Sequence, residues 1–220
     1  MLRVAVLASG RGTNFQALHD ACTTGYADAE IVCVATNRPQ AGVLERAAAA
    51  GVDGVVVASK GIASREAYDN ELLDALEPFK ADLVCGSGFM RIFSPVFIGA
   101  YRDNLLNVHP SLLPAFPGLH VVEEAWNWGA KVTGVTVHLM TEDLDSGPVV
   151  YQRALDIDAS STVEDLERRI HVLEYTLYPK ALKLFAEGSF RIDGRRVVIE
   201  RDVEDPPWAG ELPPGLAGDS

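Results

Sequence analysis

Asn107 and His109 are the two residues most suited to catalysis, because both are polar and both stand in an otherwise apolar segment. The segment Leu105-Leu106-Asn107-Val108-His109 has the composition of a buried strand, in which residues 107 and 109 point to the same face. A single histidine would more often be a packed core residue. An amide and an imidazole on one face, however, could both donate hydrogen bonds to a carbonyl oxygen that gains negative charge. The pair therefore indicates chemistry at a carbonyl carbon.

The residues after this strand form a stiff loop. Residues 110–118, called here the proline loop, contain three prolines and end at Gly118. Such a segment continues neither a strand nor a helix, so the chain must leave the sheet at this point. Reactive side chains at the carboxyl end of a strand are typical of active sites in open α/β sheets.

A carboxylate near His109 would favour the imidazolium form and make the ring a better donor. Asp145, in the short acidic segment 141–147, is the candidate. The alternative for Asp145 is simple turn formation with Ser146 and Gly147. Three other histidines have equally good structural explanations: His138 as a packing residue near a sheet edge, His120 as a loop residue and His171 as a residue on a helix surface.

A second candidate site is the glycine loop Ser9-Gly10-Arg11-Gly12-Thr13-Asn14, which follows the first predicted strand. Backbone N–H groups at the start of a helix attract anions, and glycines allow a phosphate to approach closely. The loop lacks the third glycine of a dinucleotide fingerprint and the Lys-Ser/Thr of a P-loop. A phosphate or phosphoribosyl group is the expected guest. A plain tight turn with Asn14 as the helix N-cap remains the alternative.

The elements that position these residues alternate between strand and helix. Strands are expected at 2–8, 30–36, 52–58, 83–86 and 105–109, and helices at 14–24, 44–50, 65–76 and after Pro95. Alternation of this kind implies parallel strands joined by right-handed crossovers. We therefore expect an α/β fold, a Rossmann-like twisted sheet that is mostly parallel and is flanked by helices.

The second half of the chain has a different pattern. A helix is expected at about 121–128, and then strands at 131–140 and 148–157 form an antiparallel hairpin. A long helix begins after Ser161-Thr162 and ends near Ala186. We expect one domain over residues 1–188, with a phosphate-binding half at about 1–100 and a catalytic half at about 101–188. A terminal hairpin at 189–200 turns at Asp193-Gly194, and the acidic, proline- and glycine-rich tail at 201–220 is expected to be disordered.

Composition excludes several classes of function. The net charge of −12 argues against nucleic-acid binding, which depends on basic patches. No apolar run approaches the roughly 20 residues that span a bilayer, and the amino terminus does not resemble a signal peptide. Cys22, Cys33 and Cys85 are spaced too widely for a zinc motif and suit buried thiols in a reducing compartment. We expect a cytoplasmic protein without a metal.

Several motifs together resemble the folate-dependent formyltransferases. These are Asn-Val-His-Pro-Ser-Leu-Leu-Pro from Asn107, Phe-Pro-Gly-Leu-His from Phe116, Gly-Val-Thr-Val-His from Gly134 and Leu-Asp-Ser-Gly-Pro-Val from Leu144. The glycine loop and Gly88-Phe89-Met90-Arg91-Ile92 are similar to the branch that acts on glycinamide ribonucleotide. The resemblance covers about residues 2–188, and it implies transfer of a formyl group from 10-formyltetrahydrofolate to that amine in purine synthesis.

The resemblance also implies residue roles. The catalytic residues would be Asn107, His109 and Asp145. Residues that would bind the phosphoribosylglycinamide are Gly12, Thr13, Asn14, His171 and Glu174, although some family members have glutamine at the position of His171. Residues that would contact 10-formyltetrahydrofolate are Arg65, Met90, Arg91, Ile92, Phe93, Asn107, Thr141, Glu142, Asp143, Leu144 and Asp145. Only small-molecule partners are implied, no metal is required, and a homodimer is left open.

Three alternatives differ in sequence features. Methionyl-tRNA formyltransferase usually carries a further basic domain, whereas this chain ends in an acidic segment. Formyltetrahydrofolate hydrolase usually has an additional regulatory domain and lacks the Gly-Arg-Gly-Thr-Asn loop. A binding module without catalysis would have no need of the trio Asn107, His109 and Asp145. The presence of the Gly-Arg-Gly-Thr-Asn loop and of the trio favours the glycinamide ribonucleotide enzyme.

Overall fold

The amino-terminal half of the chain is a parallel sheet. The computed structural model describes residues 1–59, 61–158 and 160–217. Five strands run parallel in the order β3-β2-β1-β4-β5. They are β1 (Leu2–Leu7), β2 (Ala29–Thr36), β3 (Asp53–Val56), β4 (Leu83–Gly86) and β5 (Leu105–His109). The order reverses between β1 and β4, which is where ligands bind in open α/β sheets.

Helices cover both faces of this sheet. They are α1 (Thr13–Thr23), α2 (Val43–Ala49), α3 (Arg65–Leu76), α4 (Pro95–Ala100), α5 (Val121–Trp128) and α6 (Val163–Glu187). Because side chains alternate along a strand, Val4 and Val6 join the core under α1 and α6, whereas Ala5 and Leu7 join the core under α3 and α4. No helix in the described ranges is long and apolar enough to cross a membrane.

The carboxyl-terminal half adds four strands to the same sheet, and all but one of their pairings are antiparallel. These are β6 (Val132–Leu139), β7 (Val149–Asp156), β8 (Phe190–Asp193) and β9 (Arg196–Ile199). The full order is β3-β2-β1-β4-β5-β6-β7-β9-β8, with β6 antiparallel to both β5 and β7. The mostly parallel α/β sheet with an added antiparallel hairpin is therefore confirmed. In the last hairpin Asp193 pairs with Arg196, so the two turn residues are 194 and 195, one position later than expected.

Local signals in the sequence explain most helix ends. Ser64 accepts a hydrogen bond from the backbone N–H of Ala67, and Thr162 and Asp165 form a capping box at the start of α6. Gly51, with a φ of 70°, follows the end of α2. The alternative reading of the glycine loop, with Asn14 as the N-cap of α1, was wrong: Gly12 is the N-cap, and Asn14 lies inside the first turn.

Residues 201–217 differ from the expected disordered tail. This segment packs against α1 and α6, and Val203, Trp208 and Leu216 are buried. Its acidic residues pair with basic residues of the core, since Asp205 lies 3.0 Å from Arg153 and 3.1 Å from Lys180. Residues 218–220 lie outside the described part. We call residues 201–217 the C-terminal strap.

Candidate active site

The catalytic pair predicted from the sequence lies at the carboxyl end of β5. His109 is buried, and its Nε2 lies 2.8 Å from the carbonyl oxygen of Phe116 in the proline loop. A carbonyl only accepts hydrogen bonds, so Nε2 carries a proton and donates it. Proton exchange at His109 is therefore left to Nδ1.

Asp145 approaches that second nitrogen. Its Oδ2 lies 3.7 Å from Nδ1 of His109, and its side chain is 8% exposed. The backbone N–H of Gly118 donates to the same oxygen at 2.8 Å. Asp145 has a φ of 48°, a left-handed conformation that aspartate tolerates better than most residues. The residue does form part of a turn, as the alternative supposed, but its carboxylate points toward the imidazole.

The proline loop is held in place by a side chain of β6. Thr136 of β6 donates from Oγ1 to the carbonyl of Ser111 at 2.6 Å, and it accepts from the N–H of Leu113 at 3.1 Å. Ser111 in turn donates to the carbonyl of Ala115 at 2.6 Å. The loop therefore presents Phe116 to His109 and Gly118 to Asp145 from a backbone that is tied to the sheet.

His138 lies in the candidate site, although the sequence offered a packing role at least as readily. In β6 it lies opposite Asn107, and its Nε2 is 3.3 Å from the side-chain nitrogen of Asn107 and 3.9 Å from Oδ1 of Asp145. Its Nδ1 donates to the carbonyl of Leu139 at 3.0 Å. Burial lowers the pKa of His138, which favours the neutral ring. A neutral Nε2 accepts a hydrogen bond from Asn107 and so orients the amide.

Asn107 also depends on the strand beside it. Gly86 of β4 lies opposite Asn107, and a Cβ at that position would be 2.9 Å from the amide oxygen. Behind both residues, the hydroxyl of Tyr178 in α6 lies 2.7 Å from the carbonyl oxygen of Gly86 and 3.1 Å from that of Leu106. The end of β4 and the end of β5 are thus held together by a side chain of α6.

The glycine loop forms the other half of the site. Gly12 has a φ of 78°, and an added Cβ would be 2.5 Å from Cγ2 of Val43. Asn14 donates from Nδ2 to Oε2 of Glu174 at 2.9 Å, which joins the loop to α6. Burial raises the pKa of Glu174, and the neighbouring His171 and the hydrogen bond from Asn14 offset part of that increase. Thr13 lies in the first turn of α1.

Residues 2–182 match the family model described as formyl transferase. The chain belongs to the formyl transferase family. The phosphoribosylglycinamide formyltransferase of Escherichia coli is 38% identical over 203 residues, which are 89% of this chain and 96% of that enzyme. The trifunctional purine biosynthetic protein adenosine-3 of Drosophila pseudoobscura is 44% identical over 92% of this formyl transferase, which spans only 15% of that longer protein.

Solved structures agree with this assignment. Glycinamide ribonucleotide transformylase 1 from Symbiobacterium toebii superposes with a TM-score of 0.89 at 44% identity, over 91% of this chain and 95% of that one. A formyltetrahydrofolate deformylase from Pseudomonas syringae has a TM-score of 0.84 at 23% identity over 91% of this chain and 66% of that one, which is a likeness of fold alone.

The segment expected to contact folate in this formyl transferase is only partly available to a ligand. Met90 and Ile92 are 49% and 53% exposed, and Leu144 across the site is 52% exposed. The guanidinium of Arg91 lies 3.8 Å from the ring centroid of Tyr68. The backbone N–H of Met90 donates to Ser9, which connects this segment to the glycine loop.

Phe93 was expected to line the same pocket, and its side chain does not. It is 4% exposed and stacks between Phe89 and Phe97, with ring centroids 5.6 and 4.4 Å away. Its ring supports the segment from inside the core. Arg65, Thr141, Glu142 and Asp143 are exposed at the start of α3 and in the loop after β6. Within the described residues, no group of three or more His, Cys, Asp or Glu side chains could hold a metal ion.

Proposed function

We propose that this formyl transferase moves the formyl group of 10-formyltetrahydrofolate to the amino group of N1-(5-phospho-D-ribosyl)glycinamide, in the synthesis of purines. The observation that carries the proposal is the convergence of two half-sites. Asp145 lies beside His109 and His138, and His138 contacts Asn107. Asn14 and Glu174 join the glycine loop to α6. Glu174 lies within electrostatic range of His109, so the two halves belong to one site. The names of the E. coli and S. toebii relatives support the same substrate.

The proposed mechanism begins with attack of the uncharged amine on the formyl carbon. Asn107 and Nδ1–H of the His109 imidazolium donate hydrogen bonds to the oxygen as it becomes an oxyanion, while Nε2–H stays on the Phe116 carbonyl. The Asp145 carboxylate, 3.7 Å from Nδ1, stabilises the charged ring by electrostatic attraction. The carbon–N10 bond then breaks, the folate nitrogen takes up a proton by way of His109 or water, and the attacking nitrogen loses its own. The product amide and tetrahydrofolate account for all atoms without a covalent enzyme intermediate.

The remaining residues would bind the two substrates. Gly12, Thr13 and Asn14 would hold the phosphate at the start of α1, where backbone N–H groups point outward. Glu174 would accept hydrogen bonds from the amine or ribose end. His171 lies beside it and packs on Tyr175, with ring centroids 6.1 Å apart and nearly parallel planes.

The folate would lie between the segment after β4 and the loop after β6. Met90 and Ile92 on one side and Leu144 on the other offer apolar surface for a flat ring. The loop from Thr141 to Asp145, including Glu142 and Asp143, would wrap the pterin. Arg91, whose guanidinium lies over the ring of Tyr68, would form part of the folate pocket, and Arg65 would bind the carboxylate end of the folate. Phe93 would act only through its backbone.

An assay with three acceptors tests the proposal. Purified protein is mixed with 10-formyltetrahydrofolate and supplied with glycinamide ribonucleotide, with water alone or with charged initiator tRNA. We expect deformylation only with glycinamide ribonucleotide. Turnover with water alone would support the hydrolase, and turnover with tRNA would support the tRNA enzyme. Either result in the absence of turnover with glycinamide ribonucleotide overturns the proposal. The Asp145→Asn protein is the control for background hydrolysis.

A further inference from the structure

Helix α6 contains a backbone carbonyl that the helix itself leaves unpaired. Pro179 lies inside α6 and is buried. Proline has no N–H, so it donates nothing to the carbonyl four residues earlier, which is that of Tyr175. A buried acceptor without a partner is costly, and it is usually satisfied by another group. In this protein the indole Nε1 of Trp208 donates to the Tyr175 carbonyl at 3.0 Å.

Trp208 belongs to the C-terminal strap, and the strap binds α6 again at the next residue. The backbone N–H of Gly210 lies 3.3 Å from Oγ1 of Thr176. Trp208 is 6% exposed, so its hydrogen bond is shielded from competing water. The strap therefore pairs the carbonyl that Pro179 leaves open. That carbonyl belongs to Tyr175, the residue immediately after Glu174, which contacts the glycine loop.

The same strap also holds α1, the helix that follows the glycine loop. The backbone N–H of Gly215 donates to Oδ2 of Asp20 at 2.7 Å. Leu216 is 2% exposed and packs with Ala17 of α1 and Tyr175 of α6. One segment therefore fixes both helices that supply the proposed substrate contacts.

Ion pairs hold the strap at its beginning. Lys180, which is 8% exposed, lies 3.3 Å from Asp202 and 3.1 Å from Asp205, and Arg153 of β7 lies 3.0 Å from Asp205. Lys180 is the residue after Pro179. The strap therefore contacts α6 both before Pro179, at Tyr175 and Thr176, and after it, at Lys180.

We propose that Trp208 is a positioning residue for the substrate side of the active site. By pairing the Tyr175 carbonyl it fixes the turn of α6 that carries Glu174, and so keeps that carboxylate against Asn14. The inference rests on the proposed function, because it assigns glycinamide ribonucleotide to Glu174. The formyl donor binds at the other half of the site and does not depend on this hydrogen bond.

Trp208→Phe tests the proposal, because phenylalanine keeps an apolar ring and removes the donor. We expect the KM for glycinamide ribonucleotide to rise about fivefold to tenfold, the effect of losing one buried hydrogen bond. The KM for 10-formyltetrahydrofolate and the kcat at saturating acceptor should stay within about twofold. Trp128→Phe is the matched control, since Trp128 is 83% exposed at the end of α5, and it should change neither constant.

A second substitution gives a rescue that a purely structural role would not predict. Pro179→Ala restores an N–H that can pair with the Tyr175 carbonyl inside the helix. In the Trp208→Phe background it should return the KM for glycinamide ribonucleotide to within about twofold of the wild-type value. Urea unfolding of the wild-type protein, the two single variants and the double variant, measured without substrate, should show that the effects of the two substitutions on the free energy of unfolding are likewise not additive.

The outcomes separate the two proposals. A wild-type protein without turnover on glycinamide ribonucleotide defeats the proposed function and the positioning role with it. Normal wild-type turnover together with an unchanged KM in Trp208→Phe defeats the positioning role alone. An equal rise in both KM values, or a raised KM that Pro179→Ala leaves raised, also overturns it.

Discussion

Replacing Asp145 by asparagine removes one charge from the site and little else. Asparagine has nearly the same shape, tolerates the φ of 48° at this position, and keeps an oxygen that can accept from Gly118. The oxygen that accepts from Gly118 is also the one that lies 3.7 Å from Nδ1 of His109, so asparagine keeps an oxygen beside the imidazole and removes its negative charge. At an effective dielectric constant of about 20, that separation corresponds to about 4 kcal/mol between unit charges, or about a thousandfold in rate. The dipole of the amide replaces part of this, so we expect kcat to fall about 10²- to 10³-fold.

The assay is single-turnover formyl transfer at saturating concentrations of both substrates, measured across the neutral range of pH. Asp74→Asn is the matched control, because Asp74 is exposed on α3 and the substitution changes the net charge by the same amount. The KM for each substrate should change little in either variant. A rate for Asp145→Asn within about fivefold of the wild-type rate, or an unchanged dependence of rate on pH, would refute the role given to the carboxylate.

Three further substitutions test other parts of the site. Gly12→Ala places a Cβ 2.5 Å from Cγ2 of Val43 and so distorts the glycine loop. The KM for the phosphorylated acceptor should rise about tenfold or more in steady-state kinetics. An unchanged KM would show that the loop does not bind the phosphate. Burial raises the pKa of Glu174, so the folded protein binds the proton of this carboxyl more tightly than the unfolded chain does. The free energy of unfolding should therefore fall as the pH rises above 4.5. Glu174→Gln should abolish that fall, as measured by urea titrations at several pH values. Tyr178→Phe removes the hydroxyl that bonds to the carbonyl oxygens of Gly86 and Leu106. It should lower the free energy of unfolding in urea by about 1 kcal/mol, the net value of one buried hydrogen bond, and an unchanged free energy would show that this hydroxyl does not hold the two strand ends together.

The parts of the site that the sequence predicts are those that depend on local rules. Alternation along a strand is enough to place Asn107 and His109 on one face, and the prolines after them are enough to predict a stiff loop. Asp145 needed only a hairpin whose turn returns to the end of β5. The helix ends at Ser64 and Thr162 likewise follow from side chains within three residues.

His138 could not be assigned in this way, because its role depends on register between strands. It meets Asn107 only because β6 pairs with β5 in the antiparallel direction with those two residues opposite each other. A shift of one residue would turn His138 to the other face. Nothing in the separate strands specifies that pairing.

Phe93 and the C-terminal strap were misjudged for a related reason. Phe93 lies in a loop without periodicity, so its burial depends on Phe89 and Phe97 stacking on either side. The strap has the composition of a disordered segment, and its few apolar residues find partners far away in the chain. Trp208 bonds to Tyr175, 33 positions earlier, and Gly215 bonds to Asp20, 195 positions earlier. Composition averages over a window and does not register single long-range contacts.

The hydrogen bond that compensates for the proline in α6 can form only late in the synthesis of the chain. Glu174 and Tyr175 emerge from the ribosome well before Trp208, so the Tyr175 carbonyl has to wait for its indole partner. During that interval this turn of the helix can exchange its hydrogen bonds with water. A nascent chain therefore contains the strand of the proposed catalytic pair before it contains the donor that completes α6, and a chain that ended before residue 208 would lack the partner of the Tyr175 carbonyl.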